Sequence, residues 1–551
     1  MRRLPFFIAL LASLAGCAAM APRPADTVAV KVLAINDFHG HLRPPAGGFR
    51  VRDPQDPAKS IDIAAGGAEH LASAVRELRA RNPNHVFVAA GDLVGASPLL
   101  SALFDDEPTV ESLGLMGLAI SAVGNHEFDR GAAELLRLQR GGCHPGKGCK
   151  GPMPFAGARF QYLAASTIDT RTGQPILPAY VVKRFEGIPV AFIGLTLRAT
   201  PQIVMPAGVA GLEFRDEAAT VNALVPELRR QGIEAIVVLI HEGGFPAGGH
   251  GDCPGLSGPI VPIVRQLDPA VDLVISGHTH RAYVCRIDGR LVTSADKYGT
   301  LLGEIDLLLD RASGDVREAN ARNVVVRTDV FAKDEAQTRL IEAYERLSAP
   351  LARRVVGRLA APLLRDEGPA GESALGQVVA DAQLAATADA GAQLALMNPG
   401  GLRAALTGDA QGTVRYEDLF AAQPFSNALV TITLTGAQLR RVLEQQWAGQ
   451  ARPRLLQVSR GLSYAWDAAR PVGQRIVPGS LQLHGHTIAP EQRLRVTVNA
   501  YLAAGGDNFK ALAENGADAQ TGIMDIDALE QYFRRAGSVS PATDGRIRRL
   551  N

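Results

Sequence analysis

Charge of one sign is what this chain lacks. Its 57 Lys and Arg stand against 56 Asp and Glu, a formal net charge of +1. No concentrated basic excess is available for a nucleic-acid polymer. A small phosphorylated ligand stays compatible, because a local pocket can be cationic on a neutral protein. Internal repeats and low-complexity tracts are also absent, which removes repeat architectures from consideration. Cysteine is scarce, five in 551 residues, and no C-x₂-C spacing occurs, so a thiolate zinc site is not expected. The apolar run at residues 4–14 is too short to span a bilayer as a mature helix. What remains is ordinary soluble composition, 46% hydrophobic and 21% charged, in a chain too long for one core, so two domains or three are expected.

Arg2 and Arg3 precede the short apolar run and read as the charged start of an export signal. Leu14-Ala15-Gly16-Cys17 resembles the bacterial lipobox, which makes residues 1–17 a signal peptide and Cys17 a lipidation site. The alternative is plain secretion with cleavage near Ala19 or Ala21. The expected location is the periplasm or cell envelope, lipid-anchored at the outer membrane of a Gram-negative bacterium, or else secreted and soluble. Membrane contact is expected only through that anchor. In an exported protein the other four cysteines suggest disulfides. Of three connectivities, Cys143–Cys149 with Cys253–Cys285 closes the shortest loops.

Five polar clusters each follow an apolar, strand-like run. The runs are residues 30–35, 86–90, 118–123, 235–240 and 271–276. The clusters are Asp37-Phe38-His39-Gly40, Gly91-Asp92, Gly124-Asn125-His126-Glu127-Phe128-Asp129, His241-Glu242-Gly243-Gly244 and Gly277-His278-Thr279-His280. In open α/β sheets the ligand site lies off the carboxyl ends of the strands. Five ends thus deliver Asp, His, Asp, Asn, His, His and His to one rim, a donor set for two divalent ions. A lone histidine is more often a hydrogen-bonded loop residue; seven candidates at five strand ends argue against coincidence. Amphipathic stretches at 68–81, 134–139 and 217–231 alternate with these strands and with a further strand at 188–196, which indicates an α/β domain. Residues 334–353 read as a linking helix, after which helix and strand patterns restart.

With these motifs on the page, the N-terminal half resembles the calcineurin-type metallophosphoesterases. Nearly the whole chain after the signal resembles the 5′-nucleotidase family, which includes periplasmic UDP-sugar hydrolases and animal ecto-5′-nucleotidases. The resemblance implies an α/β fold: a four-layer metallophosphoesterase β-sandwich flanked by helices, a linking helix, then a smaller α/β (α+β) substrate-binding domain. The expected bounds are 28–330, 331–355 and 356–551. Family pattern and donor chemistry agree on roles. Asp92 bridges two ions; Asp37, His39 and His280 complete one site, and Asn125, His241 and His278 the other. The mixed N/O set suits Zn or Mn, with Co or Mg as alternatives. The family often has an amide residue where His280 stands. His126, paired with Asp129 three residues on, is expected to act as the cationic acid rather than as a ligand; the bland alternative is that Asp129 caps the next helix.

For the second domain the resemblance implies that Phe425 and Tyr501 sandwich a nucleobase, Asp507 holds the ribose, and Asn398 and Arg403 contact the substrate. Residue by residue, an aromatic ring alone is more often core, and Arg403 offers a planar fork for phosphate. The family often has arginine just before the Glu of Glu372-Ser373-Ala374-Leu375-Gly376, where this chain has Gly371; Arg365, Arg403 and Arg460 are the nearest substitutes in sequence. The expected activity is a 5′-nucleotidase with a small nucleotide substrate and no nucleic-acid polymer. The alternatives are a UDP-sugar or NAD pyrophosphatase or a 2′,3′-cyclic-nucleotide phosphodiesterase on the same site, and more remotely a catalytically lapsed surface-binding protein. Oligomeric state is not readable from the sequence.

Overall fold

Runs of residues buried on both faces build the centre of the first domain, and they account for the near-continuous apolar strands of the sequence. The computed structural model describes residues 26–551 apart from 54, 57, 58, 250, 252, 451 and 543. The export signal and Cys17 lie outside the described residues. One six-stranded sheet runs Val316–Val325, Leu301–Asp310, Thr27–Ile35, His85–Ala89, Ile120–Ala122, Gln161–Leu163. A second runs Ala282–Ile287, Arg290–Ala295, Leu273–Ser276, Ala235–His241, Ile188–Thr196, Tyr180–Phe185. The strands that feed the five clusters pair in parallel within their sheets.

Alternation along each strand separates two jobs. Val30, Val32 and Ala34 meet Val237, Leu239 and Ile275 between the sheets. Leu33 and Ile35 face outward onto helix Ala68–Arg79, and Ile236, Val238 and Ile240 face outward onto helix Glu217–Arg230. The result is helix, sheet, sheet, helix: the four layers implied by the resemblance. Both disulfides are present, Cys143–Cys149 and Cys253–Cys285.

Helix Glu335–Ala352 starts at Asp334, whose carboxylate accepts the N–H groups of Ala336 and Gln337 at 3.0 and 3.2 Å. That is the side-chain cap a helix N-terminus needs. The helix lies along the first domain. Ile341 joins its core, Gln337 donates to the Ser112 carbonyl at 3.0 Å, and Glu345 accepts two 2.8 Å bonds from Arg43. Only its end, at Ala352, enters the core of the second domain.

That second domain centres on a sheet in the order Gln457–Val458, Leu394–Met397, Arg493–Asn499, Ala428–Thr435, Ala517–Met524. Leu394–Met397 is parallel to Arg493–Asn499, and Ala428–Thr435 is antiparallel to it. One edge of the sheet therefore receives Asn398 and Tyr501 just after two strands and Phe425 just before the third. No helix among the described residues is long and apolar enough to cross a membrane.

Candidate metal centre and substrate cleft

The seven metal-ligand candidates gather where the five strands end. Asp37, His39 and His280 bring ligand atoms within 4.8 Å of one another, and so do Asp92, His241 and His278. A third such group joins His39, Asp92 and His126. Five of the seven, Asp37, His39, Asp92, His278 and His280, have φ between 46° and 69°. For residues other than glycine, each such conformation costs of order 1–3 kcal/mol. Stability is given up to aim these donors. Close backbone approach adds to the strain: a Cβ on Gly124 would lie 2.1 Å from Asp92 Oδ1.

The donor set fits divalent cations. His39 Nδ1 faces the Gly95 carbonyl at 2.8 Å and His241 Nδ1 the Ala90 carbonyl at 2.7 Å. An Nδ1–H held by a carbonyl leaves Nε2 with its lone pair for a metal. His241 Nε2 and Asn125 Oδ1 are both buried without a hydrogen-bond partner, although His241 Nε2 lies 2.9 Å from Asp92 Oδ2. Charge tells the same story. Burial opposes protonation of His241, yet the carboxylates of Asp92 and Asp37 outweigh it and push the group up to about 10. A cation belongs among these carboxylates. Burial holds His39 and His280 well below the usual histidine range and His278 at about 4, so all three offer neutral imidazoles.

His126 is differently placed. Its Nδ1 meets Asp129 Oδ2 at 2.8 Å, across one turn of the 3₁₀ helix His126–Phe128, and its N–H donates to Asp92 Oδ1 at 2.8 Å. Burial works against its charge, but Asp129 and Asp92 raise its affinity for a proton. Asp129 does not cap the next helix, which begins at Gly131 without a side-chain cap.

Glu127, passed over in the sequence, ties the rim together. Its carboxylate accepts the N–H groups of Gly124, Leu93 and Asp92 at 2.6, 2.7 and 3.0 Å. One buried acid thus fixes the loop of Asp92 against the loop of Asn125. Its place between His126 and Phe128, inside a cluster of ligands, is the signal that would have found it.

The second domain roofs this rim over a cleft of about 780 Å³. Asn398, Arg403, Phe425, Tyr501 and Asp507 all line it, facing Asp92, Asn125, His126 and His280. Phe425 stacks on His126 with ring centroids 5.8 Å apart, and the Arg403 guanidinium lies 6.0 Å from the Phe425 centroid. Asp507 is buried and shared. Tyr501 Oη donates to its Oδ1 at 2.9 Å, Asn398 Nδ2 to its Oδ2 at 2.8 Å, and Arg454 pairs with Oδ1. Sequence reasoning misses Arg454, since nothing in its local pattern points to Asp507.

The departure at Gly371 finds a physical context. Gly371 sits against Leu455 with φ +95°, where a Cβ would come within 2.6 Å of that side chain. Arg365 reaches the cleft instead and donates to the Arg403 carbonyl at 2.9 Å. Burial and the charge of Arg403 make Arg365 release its proton more easily than usual. Arg403 Nε and Nη2 are buried without partners. Arg460 points elsewhere, to Asp381 and Tyr532. Two guanidinium groups lining one cleft, neither ion-paired to a carboxylate among the described residues, have the chemistry to receive an anion.

Known proteins resemble this chain over most of its length. The profile of the calcineurin-like phosphoesterase family matches residues 30–282, and that of the 5′-nucleotidase C-terminal domain matches residues 355–514. The chain is 31% identical over 529 residues to the endonuclease YhcR of Bacillus subtilis, covering 95% of this chain and 41% of that relative. It spans less than half of that relative's own length. It is 25% identical to the snake venom 5′-nucleotidase of Gloydius brevicauda, over 98% of this chain and 92% of the relative. The crystal structure of a 5′-nucleotidase precursor from Thermus thermophilus superposes with a TM-score of 0.77 at 26% identity, covering 95% of this chain and all of that one.

Proposed function

The chain belongs to the 5′-nucleotidase family, with its calcineurin-like phosphoesterase domain and 5′-nucleotidase C-terminal domain, and from that premise we propose that it is a metal-dependent phosphoric ester hydrolase that removes the 5′-phosphate of nucleotides. One observation carries this reading: Asp92, Asn125, His278 and His280 of the metal rim and the aromatic and carboxylate groups of the second domain line a single cleft, with His126 stacked on Phe425 between them.

Zinc or manganese fits the mixed donor set best; Asp37, His39, His280 and Asp92 would hold one ion, and Asn125, His241, His278 and Asp92 the other. Such ions supply Lewis acidity to phosphoryl oxygens and lower the pKa of water. The chain's own residues do the rest. Arg365 and Arg403 grip the phosphoryl group. Phe425 and Tyr501 take the faces of the base, and Asp507, oriented by Arg454, takes the ribose. Water oxygen adds to phosphorus as the bond from phosphorus to the sugar oxygen breaks. His126, whose proton affinity Asp129 and Asp92 raise against its burial, donates to the oxygen where negative charge grows.

After chelation and reloading with Mn²⁺, Zn²⁺ or Co²⁺, conversion of nucleoside 5′-monophosphates to nucleoside and phosphate is expected to exceed cleavage of the corresponding 2′,3′-cyclic nucleotides, UDP-sugars and NAD, each followed by chromatography of its own first product. A second reading, cleavage of diesters or pyrophosphates in the same site, draws on the relative named an endonuclease. It gains if those substrates lead the panel. The two disulfides support an oxidising compartment, and export with anchoring through Cys17 accords with them. Cys17→Ser should then move the protein from the membrane fraction to the soluble fraction; wild-type protein already soluble would exclude the anchor.

A further inference from the structure

Two more guanidinium groups meet in the cleft, apart from the Arg365–Arg403 pair. Residues 241–245 and 277–281 run side by side in the first domain. Thr279 Oγ1 donates to the Gly244 carbonyl at 2.8 Å, the Gly244 N–H donates to Tyr283 Oη at 3.2 Å, and the Cys253–Cys285 bond closes the loop beyond. Phe245 ends the first segment and Arg281 the second, and both line the cleft from the first domain. Arg452 comes from the second domain and lies over the Phe245 ring, 3.2 Å from its centroid.

Among the described residues, neither arginine has a carboxylate within ion-pair distance. Arg130, by contrast, faces Asp105 and Asp106, and Arg454 faces Asp507. Arg452 is exposed; its slight burial and the charge of Arg281 together loosen its hold on its proton. Like charges brought together by two domains oppose closure. An anion between them removes the repulsion and gains charge-assisted hydrogen bonds.

Position gives that anion its place on the ligand. The loop that carries Arg452 also carries Gln450, whose amide donates to the Asp507 carbonyl at 2.7 Å, and Arg454, which pairs with the Asp507 carboxylate. In the reading above, Asp507 holds the sugar. Arg403 acts elsewhere, its charge bearing on His39, His126 and His280.

We infer that Arg281 and Arg452 form a second anion subsite, which takes a phosphoryl group on the 2′ or 3′ hydroxyl of the nucleotide's sugar, so that nucleoside bisphosphates are the preferred substrate class. This rests on the nucleotidase reading and deepens it. Water adds to the 5′ phosphorus, the bond from phosphorus to the 5′ oxygen breaks, and that oxygen takes a proton. The products are inorganic phosphate and the nucleoside 2′- or 3′-phosphate.

The test compares phosphate release by the full chain with Mn²⁺ from a nucleoside 5′-monophosphate, its 2′,5′- and 3′,5′-bisphosphates and its 5′-diphosphate. Calorimetry then measures binding of the nucleoside 2′- and 3′-phosphates to chelator-treated protein. At least one bisphosphate should exceed the monophosphate about tenfold in kcat/KM, the worth of one charge-assisted hydrogen bond. Arg281→Ala and Arg452→Ala should each bring that ratio toward one. The matching product should bind about tenfold more tightly than the nucleoside, and Arg452→Ala should erase the difference. A wild-type ratio of one or below, or a ratio that neither substitution changes, overturns the subsite. A preference for the 5′-diphosphate that both substitutions remove overturns its place at the sugar. Hydrolysis of an aryl phosphate but of no 5′-nucleotide overturns the nucleotidase reading instead, and the calorimetry still decides the subsite.

Discussion

The metal rim on the floor of the cleft and the roof above it differ in charge and in construction. The floor crowds Asp37 and Asp92 among histidines, in strained backbone, with Glu127 pinning two loops. It is built to hold cations. The roof brings Arg365 and Arg403 together without an acid, and its carboxylate, Asp507, is already engaged by Tyr501, Asn398 and Arg454. In the proposed function it holds an anion attached to a sugar and a base. Neither set makes a nucleotide hydrolase alone. The ion-binding half needs rigidity, since a misplaced donor loses the metal. On the proposed reading the other half can trade one arginine for another, Arg365 reaching the cleft where Gly371 cannot.

The largest effect should come from the floor. Asp92→Asn removes the charge shared by both ion sites, and turnover should vanish while metal analysis finds fewer than two ions per chain. Two ions retained at full occupancy would take Asp92 out of the bridging role. Next comes His126→Ala. With no ligand lost, metal content should stay the same while kcat falls by about 10²–10⁴-fold, the range for a positioned acid. Loss of an ion in that variant would make His126 a ligand, as its proximity to His39 and Asp92 allows.

Roof substitutions should be milder and should separate by substrate. Arg365→Ala is expected to lower kcat/KM for a nucleotide by about 10–100-fold, as loss of a charge-assisted contact would. An unchanged value would leave phosphate binding to Arg403 alone. On the floor, Glu127→Gln should have an effect of similar size, read in metal affinity. The amide keeps the shape of the side chain but loses the charge that receives three N–H groups, so metal affinity should drop about 10–100-fold, as for other groups that orient ligands. Competition with a chelator measures it, and an unchanged affinity would reduce Glu127 to packing.

The same contrast governs what could be read from the sequence. The floor is local. Each ligand stands within a few residues of its own strand, and strands buried on both faces announce themselves as apolar runs: 30–35 lies within Thr27–Ile35, and 188–196 coincides with Ile188–Thr196. The roof is assembled from afar. Arg365, Arg454 and Asp507 lie in connecting segments whose meeting depends on how sheet edge and domains come together, and no local pattern encodes that. The strand Ala517–Met524 has every residue exposed, so it leaves no hydrophobic period to find. The helix at 334–353 was legible from its amphipathic pattern, but its docking along the first domain, through Gln337, Ile341 and Glu345, was not. That docking moves any hinge to the end of the helix, near Ala352, where the chain enters the second core.

The division of labour between floor and roof is tested most directly by calorimetric titration of a nucleoside onto the chelator-treated full chain. Binding should persist without metals, should weaken about tenfold in Tyr501→Ala, within the worth of one base–aromatic stack, and should be unaffected by Asp92→Asn. Binding that disappears with the metals, or that Asp92→Asn weakens as much as Tyr501→Ala does, would contradict the account.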